Sequence, residues 1–153
     1  MSSWDKQRFF LGSWLVTLVW TALLIYLLMK PGSGSPPAQS FVASFFRLSF
    51  SRTDLIEAVA HVGMFGSLTI LWWWTLASHY PTRYAVAATV IIVALLGTAT
   101  EFGQFFVARS SMMLDLAANF VGIALSITCL RFLPGKPLRV VGNRGPKGIE
   151  STK

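Results

Sequence analysis

Charge is scarce in this chain: Asp, Glu, Lys and Arg make up 12% of its 153 residues, against about 25% in an ordinary soluble domain. A surface wetted on all sides cannot be covered with so little. Cysteine is almost missing, since Cys129 stands alone inside an apolar stretch, which excludes an intrachain disulfide and a zinc ribbon. Also missing are G-x-S-x-G, a P-loop and a dinucleotide fingerprint, so a serine hydrolase, a nucleotide-driven pump and an oxidoreductase lack their parts. Apolar residues are abundant, at 54% of the chain with a mean hydropathy of +0.59. The net charge of +7 comes from 13 basic and 6 acidic residues. These bases are sparse and segregated, whereas a nucleic-acid binder interleaves them with polar surface. The chain reads as a membrane protein.

A bilayer core about 30 Å thick takes roughly 20 apolar residues per helix. Four such windows occur, at about Phe9–Met29, Ile56–Ala77, Tyr84–Val107 and Leu114–Phe132. The expected fold is therefore all-α, a polytopic bundle of four transmembrane helices occupying residues 1–133. Lys6 and Arg8 before the first window resemble the start of a secretory signal. The apolar core that follows is too long for one, holds Trp14, Trp20 and Tyr26, and closes at Lys30 and Pro31, which favours an uncleaved helix.

Positive loops stay in the cytoplasm. With both termini inside, nine of the 13 bases (Lys6, Arg8, Arg83, Arg131, Lys136, Arg139, Arg144, Lys147 and Lys153) are cytoplasmic, and Lys30, Arg47, Arg52 and Arg109 lie outside. The tail at 134–153 has spaced bases, Gly and Pro without apolar periodicity, so it is expected to be disordered near anionic headgroups. Pro31 to Pro37 reads as a linker, and Phe41, Phe45, Leu48 and Phe50 behind it suit either a short amphipathic piece on the outer interface or a plain loop. The Trp72-Trp73-Trp74 run, whose side chains point about 100° apart on a helix, reads as an aromatic belt near the inner interface.

Ionisable groups at membrane depth are costly and mark function or pairing. With alternating helix directions, His61, Glu101, Gln104, Asp115 and Asn119 share one level. On the third helix Ala94, Gly97, Glu101, Gln104 and Ala108 form a stripe of small and polar residues, and on the fourth Asp115, Asn119, Gly122, Ser126 and Cys129 form another. Small residues let backbones approach, so the two stripes are expected to face each other. Glu57 is four residues before His61, and Asp54 one turn earlier, so a carboxylate can hold the imidazole.

The run Glu101-Phe-Gly-Gln104, then Arg109, then Asp115-Leu-Ala-Ala-Asn119 and Gly122 resembles the VanZ-like membrane protein family. Its pattern is E-x-x-Q, an Arg before a five-residue gap and D-x-x-x-N-x-x-G, preceded one helix earlier by D-K-x-x-H. Here that opening motif is Glu57-Ala-Val-Ala-His61, with Ala58 in place of Lys, and Val107-Ala108 stands where Pro-Gly often precedes the Arg. The resemblance covers about half of the chain, residues 53–126. It implies a multi-pass protein of the bacterial cytoplasmic (inner) membrane, in a family named for raising resistance to the glycopeptide teicoplanin. It implies no chemical mechanism.

Glu101 and His61 are the candidate catalytic acid/base pair. Against that, Glu101 can serve packing through Gln104 or a neighbouring helix, and His61 can simply lock the helix entrance through Glu57. Gln104, Arg109, Asp115, Asn119 and Glu57 are candidate ligand contacts: Arg109 through its planar fork, Asp115 alternatively as a helix cap or as a salt-bridge partner of Arg109, and Asn119 alternatively as an amide bridging two helices. Glu57, His61, Glu101 and Asp115 are ligand types for zinc or manganese, but H-E-x-x-H and paired E-x-x-H spacings are missing, so neither a metal nor another cofactor is expected. Three classes stay open. The first is binding or shielding of an envelope lipid, a wall precursor or the glycopeptide. The second is a membrane enzyme acting on a lipid-linked substrate, and the third is a helix-packing scaffold. The expected partners are membrane lipids and such a precursor or glycopeptide, with no nucleic acid.

Overall fold

The computed structural model describes residues 3–30, 51–107 and 113–132, which contain four helices and no strand. They are α1 (Ser3–Met29), α2 (Arg52–Ala77), α3 (Thr82–Phe106) and α4 (Met113–Phe132). Each is long and apolar enough to cross a membrane, with span hydropathies from 1.5 to 2.0. The first loop with its amphipathic stretch, Arg109 and the basic tail lie outside the described residues.

The helices start ahead of the apolar windows because hydropathy marks only the segment that tolerates lipid. α1 begins at Ser3, where Lys6, Gln7 and Arg8 are good helix formers. α2 begins at Arg52 because Ser51 and Asp54 form a capping box: Asp54 N donates to Ser51 Oγ at 3.2 Å and Ser51 N donates to Asp54 Oδ2 at 2.6 Å. Asp54 thus serves the start of its own helix. At the other end of α2, the amides of His79 and Tyr80 both donate to Leu76 O, and Pro81 opens α3. A link this short makes α2 and α3 antiparallel neighbours.

α2 is the hub, touching all three other helices and α4 most extensively. The reason is close backbone approach. A Cβ on Gly122 would lie 2.5 Å from Val62 O and 3.0 Å from Gly66 N, and Ser126 Oγ donates to Gly66 O at 2.9 Å. Lipid tails are as apolar as leucine, so such small-residue crossings and interhelical hydrogen bonds hold a membrane bundle together. Phe65, Leu68, Val93, Leu24, Leu28 and Ile123 fill the space between the helices. Outward, Leu15, Val19, Leu95 and Phe106 are more than half exposed.

The two polar stripes therefore meet only in part. Asn119 does face α3, but Gly122 and Ser126 turn to α2, and Cys129 is exposed. The glycines at 66 and 122 decide this, because they admit α2 where the stripe pattern placed α3. The tryptophan run also divides: Trp73 is buried against Leu76 and Ala77, Trp72 donates to Thr21 Oγ1 at 3.3 Å, and Trp74 faces outward. α1 is pinned to α2 by a seam of hydroxyls that periodicity did not reveal. Thr17 Oγ1 and Thr75 Oγ1 are 2.8 Å apart, and Thr75 Oγ1 donates to Ser13 O at 3.3 Å. Beyond them Trp14 Nε1 donates to His79 Nε2 at 3.1 Å.

Candidate functional site

The site is at the end of the bundle where α2 starts, α3 ends and α4 starts. It begins with a gap: Gly97 on α3 has no side chain, and a Cβ there would lie 3.2 Å from Phe65 and 3.4 Å from Asn119. One turn farther along α3 comes Glu101, directed at the same two helices through His61 and Asn119. Asn119 on α4 joins the helices, donating from Nδ2 to Glu101 Oε1 at 3.2 Å and receiving His61 Nδ1 at Oδ1, 2.9 Å away. His61 Nδ1 is also 3.4 Å from Glu101 Oε1. Both oxygens beside Nδ1 are acceptors, so Nδ1 carries a proton. The imidazole lies nearly parallel to the Phe65 ring, with centroids 6.2 Å apart and planes at 15°.

A second tier lies one helical turn nearer the end of the bundle, because Gln104 follows Glu101 by three residues while Asp115 and Glu57 precede Asn119 and His61 by four. Gln104 and Asp115 are 1% and 3% exposed, and Glu57 is half-buried, so this tier grades toward the surface. Asp115 is in the first turn of α4, where a carboxylate complements the positive end of a helix. Gln104 Nε2 is shielded and has no hydrogen-bond partner among the described residues.

The structure brings His61, Glu101 and Asn119 into one hydrogen-bonded unit drawn from three helices, with Gln104 and Asp115 above it. The Nδ1 bond of His61 goes to Asn119 on α4, whereas the i, i+4 spacing pointed to Glu57 on its own helix. Phe102, beside Glu101 in sequence, is 59% exposed and turns outward. Phe65, the platform under the imidazole, was not singled out from the sequence, although its place four residues after His61 puts it on the same face. No group of three or more His, Cys, Asp and Glu among the described residues could hold a metal ion. The arrangement can pass a proton between imidazole and carboxylate, and it can present donors and acceptors to a polar group entering from the bundle end. No protein-family model matches the chain, and no match was found among curated proteins or solved structures.

Proposed function

We propose that this chain is a multi-pass envelope membrane protein of the VanZ-like kind. In this reading it binds or shields an amphiphilic envelope molecule at the polar cluster and so contributes to glycopeptide resistance. The molecule is an envelope lipid, a lipid-linked wall precursor or teicoplanin itself. The observation that carries the reading is the retention of His61, Glu101, Gln104, Asp115 and Asn119 at 1–3% exposure in an otherwise apolar bundle. Three of these side chains are ionisable, and a purely structural role at that depth can be filled by neutral amides at lower cost. On the positive-inside count this end of the bundle faces outward, toward such a molecule. Arg109, a few residues past Gln104, is the further candidate contact.

A second reading, an acid/base enzyme on a lipid-linked substrate, is favoured by the 3.4 Å between His61 Nδ1 and Glu101 Oε1, close enough for direct proton exchange once a substrate perturbs the pair. The first test compares teicoplanin susceptibility of cells expressing the wild type or Glu101→Gln at matched amounts of folded membrane protein. Protection by the wild type and reduced protection by the variant is the expected result. Complete loss of function with undiminished ligand binding turns the assignment toward the enzyme. Equal protection makes Glu101 structural, and no protection by either removes the resistance role.

A further inference from the structure

The geometry points to an uncharged, hydroxyl-rich head, as on a glycosylated lipid, as the ligand of the outer tier, with Gln104 as the residue that reads it. The inference rests on the binding reading above and adds the chemistry of the ligand. Gln104 is 1% exposed and lies seven residues from Gly97 and three from Glu101, so it is on the α3 face that meets α2 and α4. Its Nε2 nevertheless lacks a hydrogen-bond partner among the described residues. A buried amide donor in that state is expensive, and a ligand that supplies an acceptor removes the cost.

The neighbours restrict what the acceptor belongs to. Asp115 and Glu57 share this tier and Glu101 is one turn below, whereas the described cation nearest to Glu57 along α2, Arg52, is exposed at the helix start. Among the described residues a phosphate satisfies Nε2 but brings negative charge against carboxylates where the medium screens poorly, and Arg109, which could offset it, lies outside them. An ammonium suits the carboxylates but only donates, leaving Nε2 unmatched. A hydroxyl does both, accepting from Gln104 and donating to a carboxylate, which has about four acceptor sites and takes a further donor beside its existing partners. Adjacent hydroxyls on one sugar ring repeat the match within a single head.

The test uses the full chain in phosphatidylcholine nanodiscs containing, in turn, a monoglucosyl diacylglycerol, phosphatidic acid or a cationic lipid with a primary ammonium head and the same acyl chains. Binding is read from tryptophan fluorescence and thermal unfolding. The glucolipid is expected to bind and raise the unfolding temperature, and the two charged lipids to leave it unchanged. Gln104→Leu should weaken glucolipid binding about tenfold, the value of one buried hydrogen bond. The same substitution should raise the unfolding temperature of the lipid-free protein, because it removes an unmatched donor. A Gln104 that serves packing gives the opposite sign, so a variant that unfolds more easily overturns the proposal. Preferential binding of phosphatidic acid, weakened by Gln104→Leu, overturns the uncharged head while keeping the binding reading. Binding of none of the three lipids overturns the hydroxyl-rich lipid head, whereas the binding reading itself falls only if the wild type gives no teicoplanin protection.

Discussion

Asn119 is the residue on which the cluster turns. The sequence offers two roles for it, a ligand contact and an interhelical amide, and the structure shows an amide between helices that holds an imidazole on one side and a carboxylate on the other. Replacing it with Leu deletes both bonds at once and leaves His61 and Glu101 buried without their bridge. Interhelical hydrogen bonds in bilayers are each worth about 0.6 kcal/mol on average and up to about 1.7. Asn119→Leu should therefore lower stability by about 1–2 kcal/mol in reversible unfolding from mixed micelles, and an unchanged unfolding midpoint would show that the bridge contributes nothing. The levels of Glu101, Asn119 and His61 were legible from helical spacing alone. The direction of the imidazole was not, because Glu57 and Asn119 compete for it and only the placement of α4 decides between them.

At the scale of elements, the α2–α4 crossing separates glycines that pack from glycines that do not. A Cβ on Gly122 meets backbone at 2.5 Å, while one on Gly63 meets nothing within 4 Å. Gly122→Ala must push two helices apart, and about 1–3 kcal/mol of destabilisation is expected from overpacking of this kind. Gly63→Ala, on the same helix pair but facing outward, should be neutral or slightly stabilising through better helix propensity. Unfolding of the two variants side by side checks the crossing, and equal effects would refute it. The stripe on α4 announced that a helix comes close, but the expectation that this helix is α3 holds only at Asn119. Small residues invite any neighbour, and the matching gap at Gly66 is what selects α2.

For the whole molecule, the bundle is built from lipid-tolerant helices whose polar groups are drawn to one end and to the α1–α2 seam. The excess of Lys and Arg predicts that both termini are cytoplasmic, with the cluster end outward. Fusing the full chain at its carboxyl end to a fluorescent reporter that matures only in the cytoplasm should give a bright signal, and an alkaline phosphatase fused there should be inactive. The reverse pair of results would invert the topology and carry the cluster to the cytoplasmic side intact, since all three helices turn over together.

Four membrane-length helices, their all-α character and the shared level of the ionisable residues follow from the sequence by itself, because hydropathy over a span and a 3.6-residue period are local properties. The start of α2 is set by the capping box of Ser51 and Asp54, which hydropathy did not mark and in which Asp54 serves the helix start instead of the imidazole. Tertiary structure decided that α4 packs on α2, that Thr17 and Thr75 join α1 to the rest, that Phe65 supports the imidazole, and that Gln104 lies buried without a matching acceptor among the described residues. Each of these depends on which helix faces which across distances that no local pattern encodes, and in a bilayer that choice is made by complementary gaps and polar contacts, since hydrophobicity is the same on every side.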